Sequence, residues 1–223
     1  MVKAHLSGSG EIYSLYAAGQ LDPAFCLLLE TQAALNPAAA RKMATAELLS
    51  GIFLEAENEA PLSDGALQSA FDRIDALDAG ETLVRAAANS AHEAIEEVLA
   101  LPDPLRETVL KSSESADWQP LARGVRRLAL DVNSAAEVEL YRIEAGQKLP
   151  RHSHRSGELT LVVAGGYTDE TGQFGPGELS VKGPDDTHQP VADMDGVCFA
   201  LAVREDGLQF TGWLGALQRV LGQ

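Results

Sequence analysis

Pro102 and Pro104 divide this 223-residue chain into two stretches with different periodicities. A chain punctuated in this way is expected to fold as helices followed by a sheet. Ahead of the prolines alanine and leucine abound, and helix start signals recur. Asp22-Pro23 offers an N-cap and a first-turn proline for a helix through Leu35, and Asn36-Pro37 does the same for a helix reaching about Glu59. Ser63 can cap a third helix to about Leu77, and Asp78 with Glu81 has the form of a capping box for a fourth ending at Leu101. On the second long helix Met43, Leu48, Leu49, Ile52 and Phe53 make a broad apolar stripe, expected to form the core of a helical bundle.

Behind the prolines the apolar runs shorten. Strands are expected at Arg126 to Val132, Val138 to Ile143, Glu158 to Val163, Gly177 to Val181 and Val197 to Val203, with glycine- and aspartate-rich turns between them. Short, regular strands suit a small jelly-roll barrel. The expected fold class is therefore α+β and multidomain, a helical bundle over residues 1–104 followed by a jelly-roll β-barrel over 105–223. At the end, Trp213, Leu214, Leu217 and Val220 recur at helical spacing within Phe210 to Leu221, which suits docking on the fold itself or a homodimer contact.

Charge narrows the partners. Residues 1–105 carry five basic and sixteen acidic side chains, and residues 106–223 carry twelve and seventeen, which makes the chain −16 in all. Such a field repels phosphate backbones and anionic lipid, so neither direct nucleic-acid binding nor membrane binding is expected, whereas a basic protein surface is a fitting partner for the helical half. No apolar run approaches the roughly 18 residues that a membrane helix needs. The first ten residues lack an apolar signal core, and the two cysteines, Cys26 and Cys198, make no disulfide framework. Both observations suit the cytoplasm.

The chemistry concentrates in one short stretch. His152 and His154 are separated by one residue, so on a strand they point to the same face. Glu158 keeps that parity if the strand continues, and His188 supplies a fourth group. Three imidazoles and a carboxylate suit a borderline divalent cation. Zinc would complete a tetrahedron with these four side chains, whereas iron, manganese or nickel would keep two octahedral positions open. One such ion is expected, zinc foremost, with iron, nickel or manganese as alternatives. Removing it should destabilise the strands and spare the helices. Nowhere does the sequence offer a second catalytic system such as a Ser-His-Asp arrangement, a phosphate-binding glycine loop or a Cys-x-x-Cys pair. No catalytic residue is assigned, and His5 and His92 are expected to be exposed helix-region residues.

Gly146, five residues, His152, one residue, His154, three residues, Glu158, six residues and Gly165 reproduce in full the first signature of the cupin family, which the stretch from about 118 to 212 resembles. Gly177 and His188 keep the spacing of the second signature, while Gly183, Asp185 and Ala192 depart from it.

A wider resemblance takes in the helices. Tyr16-Ala17-Ala18-Gly19 and the run Glu30 to Ala39 look like the opening of the zinc-binding anti-sigma domain of the ChrR family, in which a cupin follows in the same order. Glu158 to Val162, Asp169-Glu170-Thr171 and His188 to Ala192 are similar to that family as well. The resemblance implies a cytoplasmic transcription regulator whose helical domain binds an alternative (ECF) sigma factor and whose metal-bound cupin senses a chemical signal, with oxidant stress as one candidate. It also implies where a second zinc would sit: at His5, at the position of Gln32, and at a thiolate pair replaced here by Asn36 and Ala39. Amide and methyl groups do not replace thiolates on zinc, so no metal is expected in the helical domain. Likewise the family's Cys-x-Cys in the late cupin strands is reduced to Cys198 and Ala200. The alternative to a regulator is a metal-dependent, dioxygenase-like cupin enzyme with a helical dimerisation extension.

Overall fold

The computed structural model describes residues 11–75, 94–205 and 208–210. His5, His92, most of the fourth expected helix and the apolar tail from Thr211 onward lie outside the described residues.

Helix α1 spans Glu11–Ala17, α2 Pro23–Leu35 and α3 Pro37–Glu55. Asp22 caps α2 by accepting the Ala24 N–H, and Asn36 caps α3 by accepting from Ala38 and Ala39. Helix α3 stops four residues short of the expected end. Glu55, Glu57 and Glu59 gather where the negative end of the helix dipole disfavours acid, and Pro61 follows. Residues 66–75 form α4, and α5 (Ala94–Leu99) and α6 (Leu105–Ser112) lead to the strands.

Twelve strands follow among the described residues. The six on the large sheet are β1 (Gln119–Ala122), β2 (Val125–Ala129), β3 (Glu137–Ile143), β5 (Glu158–Ala164), β8 (Leu179–Lys182) and β11 (Cys198–Arg204), ordered β1-β2-β3-β11-β5-β8 and antiparallel throughout. Facing it are two three-stranded sheets. One is β12-β4-β9, from Leu208–Phe210, His152–His154 and Thr187–His188; the other is β10-β6-β7, from Val191–Ala192, Tyr167–Asp169 and Gly172–Phe174. Each of the five expected strands is present within three residues of its ends. The two- and three-residue strands are too short to show a period.

The large sheet is buried on both faces, which explains why β11 reads as a continuous apolar run rather than an alternation. Cys198, Ala200 and Ala202 point into the barrel with Val125, Tyr141, Ile143 and Val162. Phe199, Leu201 and Val203 point outward, onto α2. There Ala24, Phe25, Leu27, Leu28 and Leu29 share one core with Leu140, Leu159, Leu161 and Val163.

The helices pack on one another as expected, but the expected core role of the α3 stripe is corrected. The most apolar helix, α2, packs on α3 and also lays a face on β5 and β11 of the sheet. Helix α3 buries only Ala39 and Met43, and Leu48, Leu49, Ile52 and Phe53 are exposed by 52–74 %. Leu67, Phe71 and Ile74 form a second exposed stripe on α4. No helix among the described residues is long and apolar enough to cross a membrane.

Candidate metal centre

His152, His154, Glu158 and His188 come together, all four buried, with one ligand atom of each within 4.8 Å of the others. They converge by a different route from the one their spacing suggested. The strand does not continue from His154 to Glu158: residues 155–157 bend, and the chain crosses from the β4 sheet to the large sheet. His152 and His188 are direct cross-strand partners on β4 and β9, with His154 two residues along β4. Glu158 opens β5 on the opposite wall. Three imidazoles on one sheet therefore face a carboxylate on the other.

The groups around the rings fix their tautomers. His188 Nδ1 lies 3.0 Å from Asp169 Oδ2 and His152 Nδ1 lies 2.8 Å from the Pro150 carbonyl oxygen. Both partners accept, so each Nδ1 carries a proton, and in the neutral rings that bind a metal each Nε2 presents a lone pair. Those two Nε2 atoms are 3.0 Å apart, and His154 Nε2 is 3.1 Å from that of His188. Facing lone pairs at this distance repel, and a cation among them turns the repulsion into attraction. The residues thus fit a metal ion, which they could hold through three nitrogens and a Glu158 oxygen.

Burial also prepares the ligands. It holds His152 down to about 4 against the attraction of Glu158, and it lowers His154 in the same sense. Neutral imidazoles need shed no proton to bind a metal near pH 7. Burial alone would raise Glu158, but Arg204 first, then His154, His152 and the Thr160 hydroxyl, hold it at about 2. Asp169 is likewise kept well below the carboxylate range, because hydrogen bonds from Lys182, His188 and Thr171 outweigh its burial. Lys182 Nζ stands 2.8 Å from Asp169 Oδ2 and ties down the carboxylate that orients His188.

Sequence reading missed this supporting layer. Arg204 is fully buried, and its guanidinium donates to Glu158 Oε2 at 3.0 Å, to Tyr141 Oη at 3.2 Å and to Glu139. Glu139 also accepts from Arg127 at 2.8 Å. Charges alternate across neighbouring strands, Glu158 on β5, Arg204 on β11, Glu139 on β3 and Arg127 on β2, from the metal ligand to the protein surface. A parity signal was available. Arg204 and Glu139 fall at inward positions of strands whose other inward residues are apolar or aromatic, where a lone charge needs a partner.

Beside His152 and Glu158 lies a cavity of about 20 Å³, lined also by Tyr141, Thr160, Tyr167 and Ala200. A single water needs about 10–15 Å³ on such a measure, so the space suits one small exogenous ligand.

Comparison with known proteins agrees with this geometry. Residues 106–205 match the family model described as the ChrR cupin-like domain. The chain is 31% identical over 216 residues to the anti-sigma-E factor ChrR of Cereibacter sphaeroides, covering 97% of this chain and 96% of that protein. This chain belongs to the ChrR anti-sigma factor family. It is also similar to the crystal structure of Rhodobacter sphaeroides SigE in complex with the anti-sigma ChrR, at 29% identity and a TM-score of 0.66, covering 88% of this chain and 97% of that one.

Within the ChrR family frame, the departures in the helices acquire a physical role. Gln32 Nε2 and Asn36 Nδ2 donate at 3.3 and 3.2 Å to the Gly177 carbonyl oxygen of the cupin half, and Ala39 is buried in the helix packing.

Proposed function

We propose that this chain is an anti-sigma factor that sequesters an ECF-type sigma factor on its helices, residues 1–104. Its barrel, residues 105–223, holds one divalent metal through His152, His154, Glu158 and His188 and biases release in response to a chemical signal. The observation that carries the first part is an apolar face left unpartnered among the described residues. Leu48, Leu49, Ile52 and Phe53 on α3 and Leu67, Phe71 and Ile74 on α4 are exposed, and Glu47, Glu55, Asp72 and Asp75 rim them. Apolar stripes edged by carboxylates suit a partner surface that is apolar at its centre and basic at its margin. The similarity to a ChrR that was crystallised with SigE supplies the class of that partner.

The metal reading rests on the two facing lone pairs of His152 and His188. Zinc is the first candidate, and iron, nickel or manganese would use the same four side chains. A site of about 20 Å³ suits a sensor that admits a water-sized ligand better than an oxygenase that must seat an organic substrate. Both activities belong to the cytoplasm.

The deciding experiment is co-expression with an ECF-type sigma factor of the same organism, followed by gel filtration at low and moderate salt. A stoichiometric complex that blocks the sigma factor from core RNA polymerase is expected. Separate elution at low salt overturns the reading.

A further inference from the structure

The carbonyl of Gly177 joins two parts of the molecule that the proposed function treats separately. It accepts both Gln32 Nε2 and Asn36 Nδ2, at the corner where α2 ends and α3 begins. Its own N–H donates to Val162 O of β5 at 2.8 Å. At φ +80° the backbone suits glycine, and a Cβ there would lie 3.1 Å from Asn36 Cβ and 3.3 Å from Leu35. The corner of the helices is thus fitted against the bare backbone of this turn.

From Gly177 the chain runs directly into β8, which pairs with β5 from Leu161↔Leu179 to Glu158↔Lys182. Glu158 is a candidate ligand, and Lys182 grips the Asp169 carboxylate that orients His188. Strand β5 is itself a shared wall. Its outward residues Leu159, Leu161 and Val163 pack on α2, and its inward residues Glu158 and Thr160 face the metal centre. Four residues separate Glu158 from Val162, about 13 Å of extended strand.

We propose that the Gly177 clasp couples metal loading of the barrel to the seating of the α2–α3 corner. A cation that pulls Glu158 and His188 together stiffens β5 and β8, and these strands fix the position of the carbonyl that Gln32 and Asn36 grip. Coupling of this kind is reciprocal, so a seated corner also tightens the metal. The inference deepens the regulatory reading, because α3 carries the proposed sigma-binding face, but it stands on contacts within this chain and its test contains no partner.

The test uses the full chain with zinc as the probe. Amide exchange across residues 23–35 is measured with and without the ion, and zinc affinity is measured by competition with a chromophoric chelator. Zinc is expected to slow exchange in α2 as well as in the barrel. Gln32→Met keeps the volume and removes the bond, and it should weaken zinc by about fivefold or more. Ser134→Ala releases the other end of α2, where the Ser134 hydroxyl bonds Asp22 at 2.6 Å, and should leave zinc affinity within about twofold. Three results overturn the proposal: protection confined to the barrel, unchanged affinity in Gln32→Met, or equal losses in both variants. Failure to bind zinc overturns it too. Should Gln32→Met fail to fold, the exchange comparison on the wild-type chain decides alone. A chain that shows the coupling but binds no sigma factor would keep this inference and discard the partner.

Discussion

Arg204 on β11 stands directly opposite Glu158 on β5 in the sheet register, and its Nη1 lies 3.0 Å from Glu158 Oε2 with both side chains buried. The same guanidinium holds Glu139, so one cation neutralises two interior carboxylates. Arg204→Met would strand Glu158 and leave Glu139 to Arg127 alone. Breaking a buried pair costs about 3–5 kcal/mol, and the urea midpoint of the apo protein should fall accordingly. Lysine should not rescue it, since a single ammonium lacks the planar fork that reaches two strands. A midpoint unchanged in Arg204→Met would mean that the ladder of charges contributes nothing to stability.

Asp169→Asn tests the layer behind His188. The variant removes the charge that accepts His188 Nδ1–H and Lys182 Nζ, leaving the ammonium buried beside a neutral amide. Metal affinity should drop about 10–100-fold, as losses behind a metal-binding imidazole usually do. Titration with cobalt(II), followed by its visible absorption, reads this directly. Equal affinity in the variant would remove Asp169 from the site.

Some of this was legible in the sequence, and the reason differs from element to element. The caps at Asp22 and Asn36 act locally, so residue identity alone placed α2 and the start of α3. The four candidate ligands were found by spacing, although parity along one strand gave the right convergence for the wrong reason: the bend at 155–157 turns the chain so that Glu158 approaches from the facing sheet. What the sequence could not carry was which apolar face meets which. The stripe of α3 and the apolar face of α2 look alike as patterns, yet only α2 found the sheet. The shared core also changes the effect expected of metal removal, since helices packed on β5 are not insulated from its ligands.

The exposed face of α3 yields a clean separation of binding from folding. Ile52 and Phe53 are 56 % and 74 % exposed, so Ile52→Asp with Phe53→Asp should move the melting temperature by little, within the range of ordinary surface changes. In a pull-down with the sigma factor the double variant should lose binding by about 100-fold or more, as expected when apolar anchors at an interface centre are replaced by charge. Wild-type binding would place the partner elsewhere.

The two thiols should differ in reactivity. Cys198 is fully buried, and burial with the nearby Asp193 charge pushes its pKa up to about 12; Cys26 is only half-buried. A thiol that is neither exposed nor ionised is inert. Native protein should therefore yield at most one alkylated cysteine, Cys26, by mass spectrometry, and the second only in denaturant. Rapid native modification of Cys198 would make it a candidate redox sensor and take that role from the metal.

The docking of α5 on β3 gives a pH signature. Arg142 donates through Nε and Nη2 to the two Glu97 oxygens, at 2.6 and 2.8 Å. That hydrogen bonding, opposed by burial and aided by charge attraction, holds the Glu97 carboxyl below its ordinary value. A depressed folded-state pKa contributes stability that is complete above the unfolded value near 4.3 and disappears as pH falls through the folded value. Glu97→Gln should thus be less stable than wild type at neutral pH and converge with it in acid. Both side chains are partly exposed, so the gap should be no more than about 1 kcal/mol and should shrink with salt. Urea curves on the pair of proteins, from about pH 7 to about pH 3 on either side of that value, would show it. A gap that stays constant in acid would mean that Glu97 acts by packing rather than by charge.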